Sequence, residues 1–113
     1  MQHLPQIERE IIEAVLDAVV ARGLIVSIHD GEEWALKASD DLPAIKAAIG
    51  ATDETTLRFR DPSRFADGGR VRTVGSVLLI HGNGCDVLSG WSDNEAMTAL
   101  LAPALAVASR AAQ

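Results

Sequence analysis

Apolar positions in the first fifth of the chain recur every three or four residues, and that period stops at Gly23. Ile7, Ile11, Ile12, Val15, Leu16, Val19 and Val20 fall on one stripe of a helix, with Arg9, Glu10, Glu13 and Asp17 on the other side. Pro5 suits the first turn, where its missing N–H costs nothing, and Gly23 suits the left-handed turn that ends a helix. Beyond it the pattern alternates. Leu24, Val26 and Ile28 interleave with Ile25, Ser27 and His29, and Trp34, Leu36 and Ala38 interleave with Glu33, Ala35 and Lys37. Asp30-Gly31 between the two runs predicts a hairpin. A two-residue loop pairs Ile28 with Glu33 and mixes the faces. An odd-length loop pairs Ile28 with Trp34 and Val26 with Leu36, which gives one clean apolar face and is the register expected.

Ser39, Asp40 and Asp41 offer N-caps for a short helix that turns Leu42, Ile45 and Ile49 inward and ends at Gly50. Residues 56–60 alternate Leu57 and Phe59 with Thr56, Arg58 and Arg60, a half-buried strand with an arginine face. Residues 61–69 consist of turn formers and predict a mobile loop. Residues 70–81 read as a long strand bent near Gly75, whose Val77-Leu78-Leu79-Ile80 run predicts cover on both faces. Gly82-Asn83-Gly84 predicts a tight hairpin turn into a strand over 86–91. Ser92 and Glu95 fit a capping box, opening a last helix with Met97, Leu100, Leu101, Leu105 and Ala108 on one side. Pro103 inside that helix is expected to kink or divide it. Its alanines, over residues 96–112, allow close approach to the sheet or across a symmetric dimer seam.

The order α-β-β-α-β-β-β-α is dominated by hairpins. It predicts an α+β fold: a mainly antiparallel, twisted sheet of about five strands with helices packed on it, in one domain spanning 1–113. These signals do not specify strand order.

Composition narrows the functional classes. At 113 residues, with 48% hydrophobic and 23% charged positions, the chain has the make-up of an ordinary soluble globule. Cys85 is the only cysteine, so no intramolecular disulfide can form, and a reducing cytoplasm is the expected location. The polar start, Met1-Gln2-His3, is unlike a signal peptide, and the apolar run over 99–108 is about half the roughly 20 residues a membrane span needs.

Charge is segregated. Residues 58–72 hold five arginines against Asp61 and Asp67, whereas residues 1–57 hold eleven acids against four bases, in a chain of net charge −6. Arg58, Arg60, Arg64, Arg70 and Arg72 are therefore the candidate binding residues. If the two strands that carry Arg58, Arg60, Arg70 and Arg72 pair, four guanidinium groups could form one patch suited to carboxylate or phosphate. The competing expectation is internal pairing with the acidic helix faces. The acidic total and 4% aromatic content argue against nucleic-acid binding.

Other chemistry is sparse. Cys85, His81 and Asp86 are the residue types of thiol catalysis, yet a two-residue loop turns Cys85 away from His81 and a three-residue loop turns Asp86 away. His3, His29 and His81 have no neighbours at zinc-ligand spacing, and Asp30, Glu32 and Glu33 lack the twelve-residue calcium-loop sequence, so neither a metal nor a cofactor is expected. The glycines at 82 and 84 stand between strand-like segments, not at the strand-to-helix junction of a phosphate loop. Trp34 and Trp91 are expected in the core.

The segments Asp30-Gly31-Glu32-Glu33, Thr52-Asp53-Glu54 and Gly82-Asn83-Gly84-Cys85-Asp86-Val87 together resemble a group of small uncharacterised bacterial proteins, over most of residues 24–95. The resemblance implies no activity that can be carried over. Small acidic domains of this kind also resemble accessory products of phages and plasmids, which implies an inhibitor or DNA mimic as one alternative. A small thiol-dependent enzyme using Cys85 and His81 is another. The leading expectation is a non-enzymatic domain that binds another protein or, as a homodimer, a second copy of itself.

Overall fold

The computed structural model describes residues 1–66 and 70–112, and for residues 64–66, 70 and 71 the description is of the backbone. Its elements are α1 (Gln6–Ala21), β1 (Ile25–His29), β2 (Trp34–Ser39), α2 (Leu42–Ala48), β3 (Glu54–Ala66), β4 (Arg70–Ile80), β5 (Leu88–Trp91) and α3 (Glu95–Ala111). This is the α+β order expected, and all pairings in the sheet are antiparallel. The strands lie in the order β2-β1-β3-β4-β5, so β1 bridges its own hairpin and the β3–β5 meander.

The apolar stripe of α1 buries Ile11, Ile12, Val15, Leu16 and Val19, as its period requires. Two positions depart from the expected stripe. Val20 is 54% exposed, and Glu8, one turn before Ile11 and Ile12, is buried at 1%. Gly23 takes φ +65°, and the N–H groups of Gly23 and Leu24 donate to Val20 O and Val19 O, closing the helix.

The first hairpin adopts neither register expected. His29 faces Trp34, Ile28 faces Leu36 and Val26 faces Ser39, with irregularities between these pairs. The cause is local. The Asp30 carboxylate accepts the N–H groups of Glu32 and Glu33, each at 2.9 Å, and Asp30 N donates to Glu33 O, so the tip closes over four residues. These backbone donors, Glu33 first, hold the Asp30 carboxyl below its ordinary pKa. Ala38, at φ +47°, absorbs the second irregularity.

Residues 61–66 continue β3 and are not the expected loop; residues 67–69 of that segment lie outside the described residues. Asp61 pairs with Arg72 and Phe65 with Val71, so residues 62–64 bulge out of the ladder. Ser63 N and Oγ both donate to Asp61 Oδ1, which makes the bulge a small Asx turn. The bend expected at Gly75 is present as a second irregularity, because Phe59 pairs with Gly75 and Arg60 with Thr73. A Cβ on Gly75 would stand 2.5 Å from Met97 Cγ, so glycine lets α3 settle directly on the strand.

The segment after β4 is no tight hairpin turn. Ile80 is followed by a turn and a short 3-10 helix, Gly84–Asp86, and β5 begins only at Leu88. The expected capping box is also displaced. Asn94 is the N-cap of α3 and accepts the Met97 N–H at 2.8 Å, while Ser92 prolongs the β4–β5 ladder by accepting from Ser76 N and donating its own N–H to Ser76 O. Pro103 does not divide α3. A proline there deprives the carbonyl four residues earlier of its helical donor, and that carbonyl, Ala99 O, accepts Arg22 Nη2 from the end of α1 at 3.4 Å.

One core holds these elements together. Leu57, Phe59, Val26, Ile28, Val77 and Leu79 point from one face of the sheet to meet Ile11, Leu16, Ile45, Leu100 and Leu101 of the helices. The alternate residues Thr56, Arg58, Arg60, Ser76, Leu78 and Ile80 are half-buried on the opposite face. The Val77–Ile80 run is thus fully covered on one side only, contrary to the expectation of cover on both.

Candidate functional site

The face of the sheet turned away from the helices is built by strand alternation. Register aligns Ile25, Arg60 and Thr73 in one row, Ser27, Arg58 and Ser76 in the next, and His29, Thr56 and Leu78 in a third. Arg58 lies across the indole of Trp34, its guanidinium carbon 4.5 Å from the ring centroid. The His29 ring meets the same indole edge-on, at 5.1 Å and 84°. The hairpin irregularities set Trp34 on this side, so the tryptophan expected in the core is a half-buried platform for an arginine. Trp91, on edge strand β5, is 41% exposed and is also outside the core.

Among the described residues, neither Arg58 nor Arg60 has an acidic partner. Lys46 pairs with Glu13, and Glu8 lies beside His81, whose imidazole is shifted by burial toward the neutral form. The acids of α1 belong to a helix packed on the opposite face of the sheet. Arg60 Nε is shielded from solvent and has no hydrogen-bond partner among the described residues.

The candidate arginines do not form one patch. Arg72 pairs with Asp61, one residue beyond the Arg60–Thr73 pair, and alternation turns it to the helix side. There it lines a groove of about 760 Å³ with Arg22, Asp61, Asn94 and Glu95. Two carboxylates balance two guanidinium groups in that groove, so it carries no net attraction for an anion. The backbones of Arg64 and Arg70 belong to β3 and β4, and their side chains lie outside the described residues.

The thiol set is not assembled. Cys85 is half-buried on the 3-10 turn, whereas the His81 imidazole points inward, with Nε2 2.7 Å from Thr55 Oγ1 and Nδ1 3.9 Å from Glu8 Oε1. Glu8 Oε1 also accepts the Gly82 N–H at 2.9 Å. Hydroxyl, imidazole and carboxylate come in the order of a hydrolytic triad, although 3.9 Å is too long for a hydrogen bond and His81 Nδ1 has no hydrogen-bond partner among the described residues. Thr55, however, is only 1% exposed and its hydroxyl also accepts the Gly50 N–H, so no substrate carbonyl can approach it. The cluster is a clasp joining α1 to the ends of β3 and β4. Burial pushes the His81 imidazole below its ordinary pKa, against the opposing pull of Glu8. Glu8 and Thr55 escaped the sequence reading, although a glutamate falling on the buried stripe of α1 was the available signal.

Among the described residues, no group of three or more His, Cys, Asp or Glu side chains is placed to hold a metal ion, and no helix is long and apolar enough to cross a membrane. No protein-family model, curated protein or solved structure matches the chain.

Proposed function

We propose that this protein is a recognition module that captures another protein on the open face of its sheet. One observation carries the reading: Arg58 and Arg60 stand on a face without helices, and among the described residues neither has an acidic partner, in a chain of net charge −6. Two arginines with no acidic partner among the described residues, on a face that also carries Glu54 two rows from Arg58, are arranged for an external contact. Stacking on Trp34 restricts the Arg58 side chain before any partner arrives, which lowers the entropy lost on binding. His29, Thr56 and Leu78 extend the surface along the next row.

The test compares capture from cell lysate by the wild type, by Arg58→Glu/Arg60→Glu and by Arg72→Glu, each first checked for folding by circular dichroism. A protein held by the wild type and by Arg72→Glu, but lost from the double variant, is the expected result. Equal capture by all three removes the open face as the contact surface.

A further inference from the structure

We infer that the occupant of the open face is an acidic amphipathic helix, presenting two carboxylates about one turn apart beside an apolar strip. The inference rests on the recognition reading and names the partner's chemistry. A segment lying on the face of a sheet cannot join the ladder, because the strands below already satisfy one another. It must meet its own backbone hydrogen bonds, and a helix does so internally.

The spacing agrees. Arg58 and Arg60 are two residues apart on β3, which sets their Cα atoms roughly 6.6 Å apart. Carboxylates at positions i and i+4 of a helix rise by about 6 Å, so each can meet one guanidinium. Ile25, paired with Arg60, and Leu78, one row from Arg58, are half-buried and offer apolar contact to the same helix.

Other occupants fit less well. A nucleic acid would meet two arginines on a molecule of net charge −6 and would be repelled beyond their immediate reach. A second copy pressing its own open face would set arginine against arginine. A second copy offering α1 would bring Glu10, Glu13 and Asp17, but Glu10 accepts from Gln6, Glu13 pairs with Lys46, and the apolar stripe of that helix is spent in its own core.

The indole beneath Arg58 provides the readout. In a Trp91→Phe background Trp34 is the only tryptophan, and its emission is followed while a synthetic helical peptide is added, with glutamates at i and i+4 beside leucines. The same peptide with glutamine for glutamate, inorganic phosphate and a short DNA duplex serve as comparators. A saturable change is expected, weakened about fivefold or more by the glutamine peptide and by Arg60→Gln in the protein, and reduced by added salt. Equal binding of the glutamine peptide, a stronger response to phosphate or DNA, or a change with protein concentration alone would overturn the acidic helix. If the peptide fails while lysate capture still depends on Arg58 and Arg60, recognition stands and the helix falls. If both fail, the open face is not the working surface.

Discussion

Arg58 and Phe59 are neighbours on β3, yet they belong to opposite sides of the molecule. Phe59 is wholly buried beneath the helices, while Arg58 lies half-buried on an indole, with no helix above it. One face of the sheet is occupied by the packing that makes the fold. The other holds half-buried side chains that no helix covers, including two arginines with no acidic partner among the described residues. A surface that contributes little to stability is free to be chosen for recognition, and the comparison can be broken by measuring each face separately.

The sharpest contrast lies within this pair. Phe59→Ala removes a buried ring and is expected to cost about 3–5 kcal/mol, whereas Arg58→Ala is expected to cost less than about 1 kcal/mol. Urea denaturation of both variants measures the difference, and comparable losses would erase the distinction between the faces.

Gly75→Ala probes the covered side more finely. Its new methyl would meet Met97 Cγ at 2.5 Å, Met97 Sδ at 2.8 Å and Ser92 Cβ at 3.0 Å. The expected cost is about 1–3 kcal/mol, and Met97→Ala should be less harmful in that background than in the wild type. A double-mutant cycle showing no coupling would mean that α3 does not rest on this glycine.

The clasp adds a pH dependence to the covered side. Burial holds the folded-state pKa of His81 below the ordinary value of 6.5. As pH falls from about 7, the unfolded chain therefore takes up more protons, and stability declines until the folded-state value is passed. His81→Gln should flatten that slope between roughly pH 7.5 and 5.5, and an unchanged slope would place the titration elsewhere. Glu8→Ala, which strips the Gly82 N–H of its acceptor, should cost about 1–3 kcal/mol.

The smallest effect belongs to the open face. A double-mutant cycle of Arg58→Ala and Trp34→Ala should return a coupling of about 0.5–1 kcal/mol. Zero coupling would show that the guanidinium is not held on the ring in solution.

Much of this architecture was legible in the chain. The stripe of α1, the alternation of β3 and the inward Ile45 and Ile49 are local periodicities, and each marks the side that is buried. The bend at Gly75 was legible too, although its partner Met97 lies in a different element. Legibility failed where a side chain competed with a pattern. The Asp30 carboxylate rebuilt the first hairpin, and the ladder to Ser76 drew Ser92 away from capping, leaving that position to Asn94. The turn-forming residues 61–66 became strand because β4 offered them a partner.

The candidate site divides along the same line. Alternation on β3 was enough to assign Arg58 and Arg60 to one face, since that depends only on the pleat. The separation of Arg72 from them arises from the skip opposite Gly75, and the indole beneath Arg58 arises from the irregular register of the first hairpin. Local sequence therefore determined which residues pack and which remain outside, because periodicity is a property of a single segment. Only the tertiary structure decided what the outer residues meet, because register and bulges are settled between segments distant along the chain.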